Sequence, residues 1–148
     1  MDVFRYQRRL PHWRSKGSTY FVTWRLYPGQ QDLTAEERSL TSSCLDHFGN
    51  QRYRLLGYVV MNDHVHVAVE PFSGHRLTAI VQGWKSFTAH HIKSLSGRIG
   101  SIWQDESFDR IIRDERELVE KLEYIKSNPQ KRWAEIRDYR WVWIIKEL

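Results

Sequence analysis

Between Tyr58 and Pro71 the chain reads YVVMNDHVHVAVEP. Val65, Val67 and Val69 alternate with His64, His66 and Ala68. A strict two-residue period puts alternate side chains on opposite faces of a strand. The same period, with β-branched and aromatic residues, predicts a strand in STYFVTWRL, ended by Tyr27, Pro28 and Gly29. YRLLGYVVM and HVHVAVE form a strand pair around a tight turn at Asn62 and Asp63. The period then changes. Leu40, Cys44, Leu45 and Phe48 recur at helical spacing behind a Thr34–Glu37 capping box, and Gly49 and Asn50 stop that helix. Leu77, Ile80, Val81, Trp84, Phe87, Ile92 and Leu95 make the apolar stripe of a long amphipathic helix. SFDRIIR is a short strand candidate. Asp114 and Glu117 cap a last helix with the stripe Leu118, Leu122 and Ile125, closed by Asn128 and Pro129. The aromatic tail DYRWVWIIKEL is expected to pack back on the body.

The order strand, helix, strand, strand, helix, strand, helix predicts an α+β fold. Its first six elements match the ferredoxin-like arrangement, an antiparallel sheet with helices on one face. The other sheet face would then carry a site, unless the tail or a partner covers it. At 148 residues the chain fits a single domain, with a basic arm over about 1–17 and a tail over about 134–148. Composition adds a partner class. A net charge of +5 and a pI near 9.5 favour an anionic partner, nucleic acid first, over a merely basic protein. One cysteine, Cys44, excludes an intrachain disulfide and fits a reducing compartment. No apolar run approaches a membrane span and the N-terminus has no secretory h-region, so a cytoplasmic protein is expected.

Three valines on one face want the core, which turns His64 and His66 to the opposite face. Two imidazoles at i and i+2 can reach one divalent cation. Surface or hydrogen-bonded histidines are the plainer reading of such a pair, and a third ligand and a reactive group are needed to go further. The last helix offers both. Tyr124 lies opposite the stripe of Leu118, Leu122 and Ile125, and Asn128 follows it by one turn on the same face. That gives a phenol and a neutral oxygen ligand of the kind Mg²⁺ or Mn²⁺ accepts. An exposed tyrosine and a helix-ending asparagine are the competing readings.

YFVTWRL, VVMNDHVHVAVEP, LTAIVQGWKSFTAHHI and IWQDESFDRIIRDERELVEKLEYIKSNPQKRW, taken in order, resemble the single-tyrosine HUH transposases. The branch they resemble is the REP-associated tyrosine transposases, relatives of the IS200/IS605 insertion-sequence enzymes. The resemblance spans roughly Tyr20 to Trp133. It implies a ferredoxin-like fold, an HUH metal pair at His64 and His66, a nucleophile at Tyr124 and a third metal ligand at Asn128. The implied cofactor is Mg²⁺ or Mn²⁺. The implied partner is single-stranded DNA bearing a REP-like hairpin, bound by a monomer or homodimer in the cytoplasm, associated with the bacterial nucleoid. The implied activity is a metal-dependent single-stranded DNA endonuclease and strand transferase working through a 5′-phosphotyrosine. Two departures stand out: Asp63 replaces the residue usual before the first histidine, and QKRWAEI replaces an apolar, glycine-containing stretch after the NP pair.

Basic residues supply candidate phosphate contacts: Arg5, Arg8, Arg9, Arg14 and Lys16 in the arm, Lys85 on the long helix, and Lys126, Lys131 and Arg132 around the NP pair. Trp103 and Trp133 are candidate stacking aromatics, while Gln104 and Arg110 match residues common in the family. The rival readings are a nucleic-acid-binding module on a ferredoxin-like sheet without catalysis, as in an inactive or domesticated relative, and a histidine-based nuclease without a covalent step.

Overall fold

A computed structural model describes residues 17–146. The elements are β1 (Thr19–Arg25), α1 (Ala35–His47), β2 (Tyr53–Val60), β3 (His64–Pro71), α2 (Leu77–Ser96), β4 (Phe108–Ile112), α3 (Glu115–Arg132) and β5 (Val142–Ile144). The strands form one antiparallel sheet in the order β4-β1-β3-β2-β5. The first four have the ferredoxin-like order expected. The aromatic tail does more than pack back. Val142–Ile144 pairs with β2 over Gly57, Tyr58 and Val59 and adds a fifth strand.

The valines of β3 behave as the alternation requires. Val65, Val67 and Val69 are fully buried with Trp24, Tyr53, Trp84 and Trp103 in a core beneath α1 and α2. The capping box of α1 forms in both directions: Thr34 Oγ1 accepts from the Glu37 N–H at 3.2 Å, and Glu37 Oε1 accepts from the Thr34 N–H at 2.8 Å. Two positions of the long-helix stripe differ from expectation. Phe87 and Leu95 are 44% and 48% exposed. They fall at the margin of the buried face of α2, which runs through Ile80, Val81, Trp84, Thr88 and Ile92.

The opposite face is not left open. Leu118, Leu122 and Ile125 of α3 pack on Leu56, Val59 and Ala68 in a second core, joined by Val142 and Ile144 of the tail. Gly57 makes this seat possible. A Cβ there would lie 2.9 Å from Leu122 Cδ2 and 3.1 Å from Ile144 Cγ2. The register of β2 against β3 shifts by a bulge between Leu55 and Gly57, beside that contact. Asn128 and Pro129 do not end α3, which continues to Arg132. Proline removes one intrahelical donor, but a single turn beyond it closes with the Trp133 N–H donating to Pro129 O at 2.8 Å.

Candidate active site

The turn before β3 is held on every side. The Met61 N–H donates to His64 O at 2.8 Å, the Leu33 N–H to Asn62 O at 2.7 Å, and the Leu26 N–H to Asp63 O at 2.9 Å. The buried Asn62 side chain donates to Asp32 Oδ2 at 3.1 Å. His64 therefore enters the sheet from a fixed backbone. The two imidazoles lie on the α3 side, their ring centroids 4.7 Å apart.

Both rings have their Nδ1 atoms engaged. His64 Nδ1 lies 2.7 Å from Asp63 Oδ1, a carboxylate that can only accept. His66 Nδ1 lies 2.7 Å from Thr23 Oγ1 on the neighbouring strand. With the proton on Nδ1, each ring leaves Nε2 with a free lone pair, the arrangement by which protein partners orient metal-binding histidines. His66 is 4% exposed. Burial first, then the neighbouring His64 and the cations Arg25, Lys121 and Lys131, push its pKa down to about 3. It stays neutral, the form that ligates metal.

Tyr124 comes from α3, whose Leu118, Leu122 and Ile125 are buried against the sheet. The same rotation leaves Tyr124 on the helix flank, 39% exposed, with its ring 5.2 Å from the His66 ring. Phe21 fixes the angle: it stacks on His66 at 5.2 Å and meets Tyr124 edge-on at 6.0 Å. The Lys131 ammonium sits 4.2 Å from the Tyr124 centroid. One turn after Tyr124, Asn128 is 6% exposed, and its side chain makes no hydrogen bond to another described residue. Among the described residues no three His, Cys, Asp or Glu side chains gather as a metal group. Asn128 follows Tyr124 by one turn of α3 and carries a neutral amide oxygen of the kind that hard cations accept.

The remaining sequence candidates scatter. Arg5, Arg8, Arg9, Arg14 and Lys16 lie outside the described residues. Lys85 turns inward. Its ammonium reaches Gln104 O at 2.6 Å, Asp105 O at 3.0 Å and Ser107 Oγ at 3.1 Å, so it pins the loop before β4 and does not face solvent. Trp103 is core, 5% exposed, and donates from Nε1 to Thr88 Oγ1. Gln104 donates to Leu26 O, a loop-holding contact. Arg110 is exposed and pairs with Glu117 at 3.2 Å. Lys126 is half-buried, Lys131 and Arg132 are exposed, and Trp133 stacks on Tyr139 at 5.6 Å beneath Arg132. Sequence reasoning missed Thr23 and Arg25. Alternation along β1 pairs them on one face, but only the strand register sets that face beside the histidines, with Thr23 opposite His66 and Arg25 opposite His64.

The IS200-like transposase family model matches residues 30–128, a stretch that holds both histidines, Tyr124 and Asn128. The chain belongs to that family. Among solved structures it is similar to a REP-associated tyrosine transposase bound to a REP hairpin, with a TM-score of 0.71, 19% identity, and 88% of this chain and 79% of that one covered. It is also similar to a protein of Deinococcus radiodurans R1 given the provisional description of a transposase, with a TM-score of 0.56, 19% identity, and coverages of 74% and 88%. At these identities the two structures establish a shared fold. A search of curated proteins found no match. Family membership makes this chain a transposase by class, and the fold is that of the REP-associated enzyme.

Proposed function

We propose that this IS200-like transposase cleaves and rejoins single-stranded DNA next to a hairpin, with Tyr124 as nucleophile and a divalent metal, Mg²⁺ or Mn²⁺, held by His64, His66 and Asn128. The observation that carries the reading is the meeting of the Tyr124 and His66 rings at 5.2 Å on a face where both imidazoles keep Nε2 bare. The REP hairpin bound by the similar transposase supports a hairpin-bearing partner for this chain.

A bound metal would neutralise charge on the scissile phosphate and steady the departing oxygen. The chain's own groups do the rest. Asp63, a carboxylate that only accepts, holds the His64 proton on Nδ1, and Thr23 fixes the orientation of the His66 ring through its Nδ1. Tyr124 Oη attacks phosphorus, a P–O bond to tyrosine forms, and the P–O3′ bond breaks. The phenol loses its proton and the leaving 3′ oxygen takes one up. The 5′-phosphotyrosine keeps the bond energy, so a 3′-OH can attack it, release Tyr124 and join the strands without a nucleotide cofactor. Lys131, close against the Tyr124 ring, places positive charge where the phosphate must approach.

The test is a 5′- or 3′-labelled hairpin oligonucleotide incubated with protein and Mn²⁺, then run on a denaturing gel. Wild type should carry label downstream of the cut covalently. Tyr124→Phe and His64→Ala should carry none. Cleavage that survives in Tyr124→Phe would replace this mechanism with water-based hydrolysis, and binding without any cleavage would reduce the protein to a DNA-binding relative.

A further inference from the structure

The sheet face that carries the histidines extends beyond them onto β4. Residues paired across antiparallel strands share a face. Thr23 pairs with His66 on one side and with Phe108 on the other, so Phe108, Thr23 and His66 form one row. Arg25 pairs with His64 in the next row. Phe108 and Ile112 lie on the same face of the same strand, yet Ile112 is 4% exposed and Phe108 is 61% exposed. The difference is the cover. Ile112 packs under Leu118 and Val119 of α3, and Arg110, between the two, pairs with Glu117 in the first turn of that helix. The helix then crosses toward β2 and β5, and the row at Phe108 is left bare.

We propose that Phe108 and Arg25 form a nucleotide subsite beside the histidines, in which an unpaired base of the DNA strand stacks on the Phe108 ring and Arg25 holds the adjoining phosphate. This subsite rests on the reading of the centre as one that cuts single-stranded DNA. Among the described residues Phe108 makes no ring contact, and the guanidinium of the exposed Arg25 makes no hydrogen bond or ion pair, the Arg25 carbonyl alone accepting from the Gln104 N–H. A large apolar ring exposed beside a polar site has a π-face to offer any base, and stacking of this kind tolerates every sequence. The charge matches the occupant. Arg25 and Lys121 stand on the near side of the row, close enough to act on His66, and Lys131 lies against Tyr124. Phe108 is two strand spacings, about 10 Å, from the His66 position. That reach suits a nucleotide neighbouring the scissile phosphate. The subsite would thus fix the register of the strand, so that one phosphate among many is presented to Tyr124.

The experiment measures binding of fluorescein-labelled (dT)15 to the full chain by anisotropy, over a salt series and without divalent metal. Phe108→Ala should weaken binding roughly 5- to 150-fold while leaving the slope of log K against log salt unchanged. Phe108→Tyr should bind like wild type, and Phe108→Leu, apolar but without a π-face, should behave like Phe108→Ala. Arg25→Gln should lower the magnitude of the slope by about 0.7, the share of one phosphate of a single strand. Equal binding by Phe108→Ala and wild type overturns the subsite, as does full rescue by Phe108→Leu. A Phe108→Ala protein that binds normally but loses self-association in sedimentation velocity assigns the ring to a contact between copies, and also overturns it. Wild type that neither binds (dT)15 nor forms the tyrosyl adduct takes the reading of the whole centre down with it. Wild type that forms the adduct while Phe108→Ala binds as tightly removes the subsite alone.

Discussion

On the side of the sheet turned to α1 and α2, Trp24 stacks on Trp84 at 5.8 Å, and Trp84 Nε1 donates to the Tyr53 hydroxyl at 3.0 Å. On the side turned to α3, the same strands present Thr23, His66 and Arg25 beside a helix that covers only part of the surface. Strand alternation makes both from one stretch of chain. The first face spends its residues on burial. The second gives up some burial to keep two imidazoles and a half-exposed phenol together. Stability and chemistry are therefore carried by different residues of the same strands, and substitutions should separate them.

The largest separation is expected between Trp84 and Tyr124. Trp84→Ala should cost about 3–5 kcal/mol in urea unfolding, the usual penalty for emptying an aromatic core position. Tyr124→Phe should leave the unfolding midpoint where it is, because the ring is retained and the position is 39% exposed, while the covalent adduct disappears. A Tyr124→Phe protein that unfolds much earlier would show that the hydroxyl serves the fold.

Next comes the ion pair behind the first face. Glu37, fully buried, accepts from Arg98 Nη2 and Nε at 2.7 Å each. Burial alone would raise its pKa, but the bonds from Arg98 and the Thr34 N–H outweigh that and hold it down at about 2. Arg98→Ala should therefore cost about 3 kcal/mol, since it strands a buried carboxylate. The sign of the pH effect follows from the lowered value. Glu37 stabilises the fold above its ordinary pKa of 4.5, and this contribution is lost as pH falls from 4.5 through about 2. Urea midpoints measured between pH 6 and 2 should fall through that window in wild type. In Arg98→Ala the Glu37 share of that fall should be reduced.

The smallest effect sits where the two faces depend on each other. Gly57→Ala would drive a methyl into Leu122 and Ile144, with an expected loss of about 1–3 kcal/mol. Because Leu122 seats the helix that carries Tyr124, the yield of adduct should fall by more than the fraction unfolded explains. Adduct yield that simply tracks stability would uncouple the helix seat from the chemistry.

Much of this was legible in the chain itself, for reasons that are local. Alternation across Val65, Val67 and Val69 assigned the histidines to their face, and the stripe of Leu118, Leu122 and Ile125 placed Tyr124 on the helix flank. What remained hidden depends on partners distant in sequence. Lys85 is off the apolar stripe, as the helical period says, yet its long stem reaches carbonyls nineteen and twenty residues on. Trp103 has the ring of a stacking residue, but its Nε1 is committed to Thr88 on α2 within the core. Thr23, Arg25 and Phe108 acquire meaning only through strand register, which periodicity within one strand does not contain. Pro129 reads as a stop because a proline disfavours helix, but it is buried within α3, which runs on to Arg132 and closes through the Trp133 N–H on Pro129 O.

The position of β3 in the sheet has a last consequence. It is the middle strand, with β1 and β4 on one side and β2 and β5 on the other. Its backbone hydrogen bonds are bracketed by neighbours that are themselves bracketed, so its amides are expected to be among the slowest in the molecule to exchange with deuterium. α3 grips the sheet through one side only. Its amides are therefore expected to exchange ahead of those of β3, with the turns around the buried Leu118, Leu122 and Ile125 the slowest of the helix.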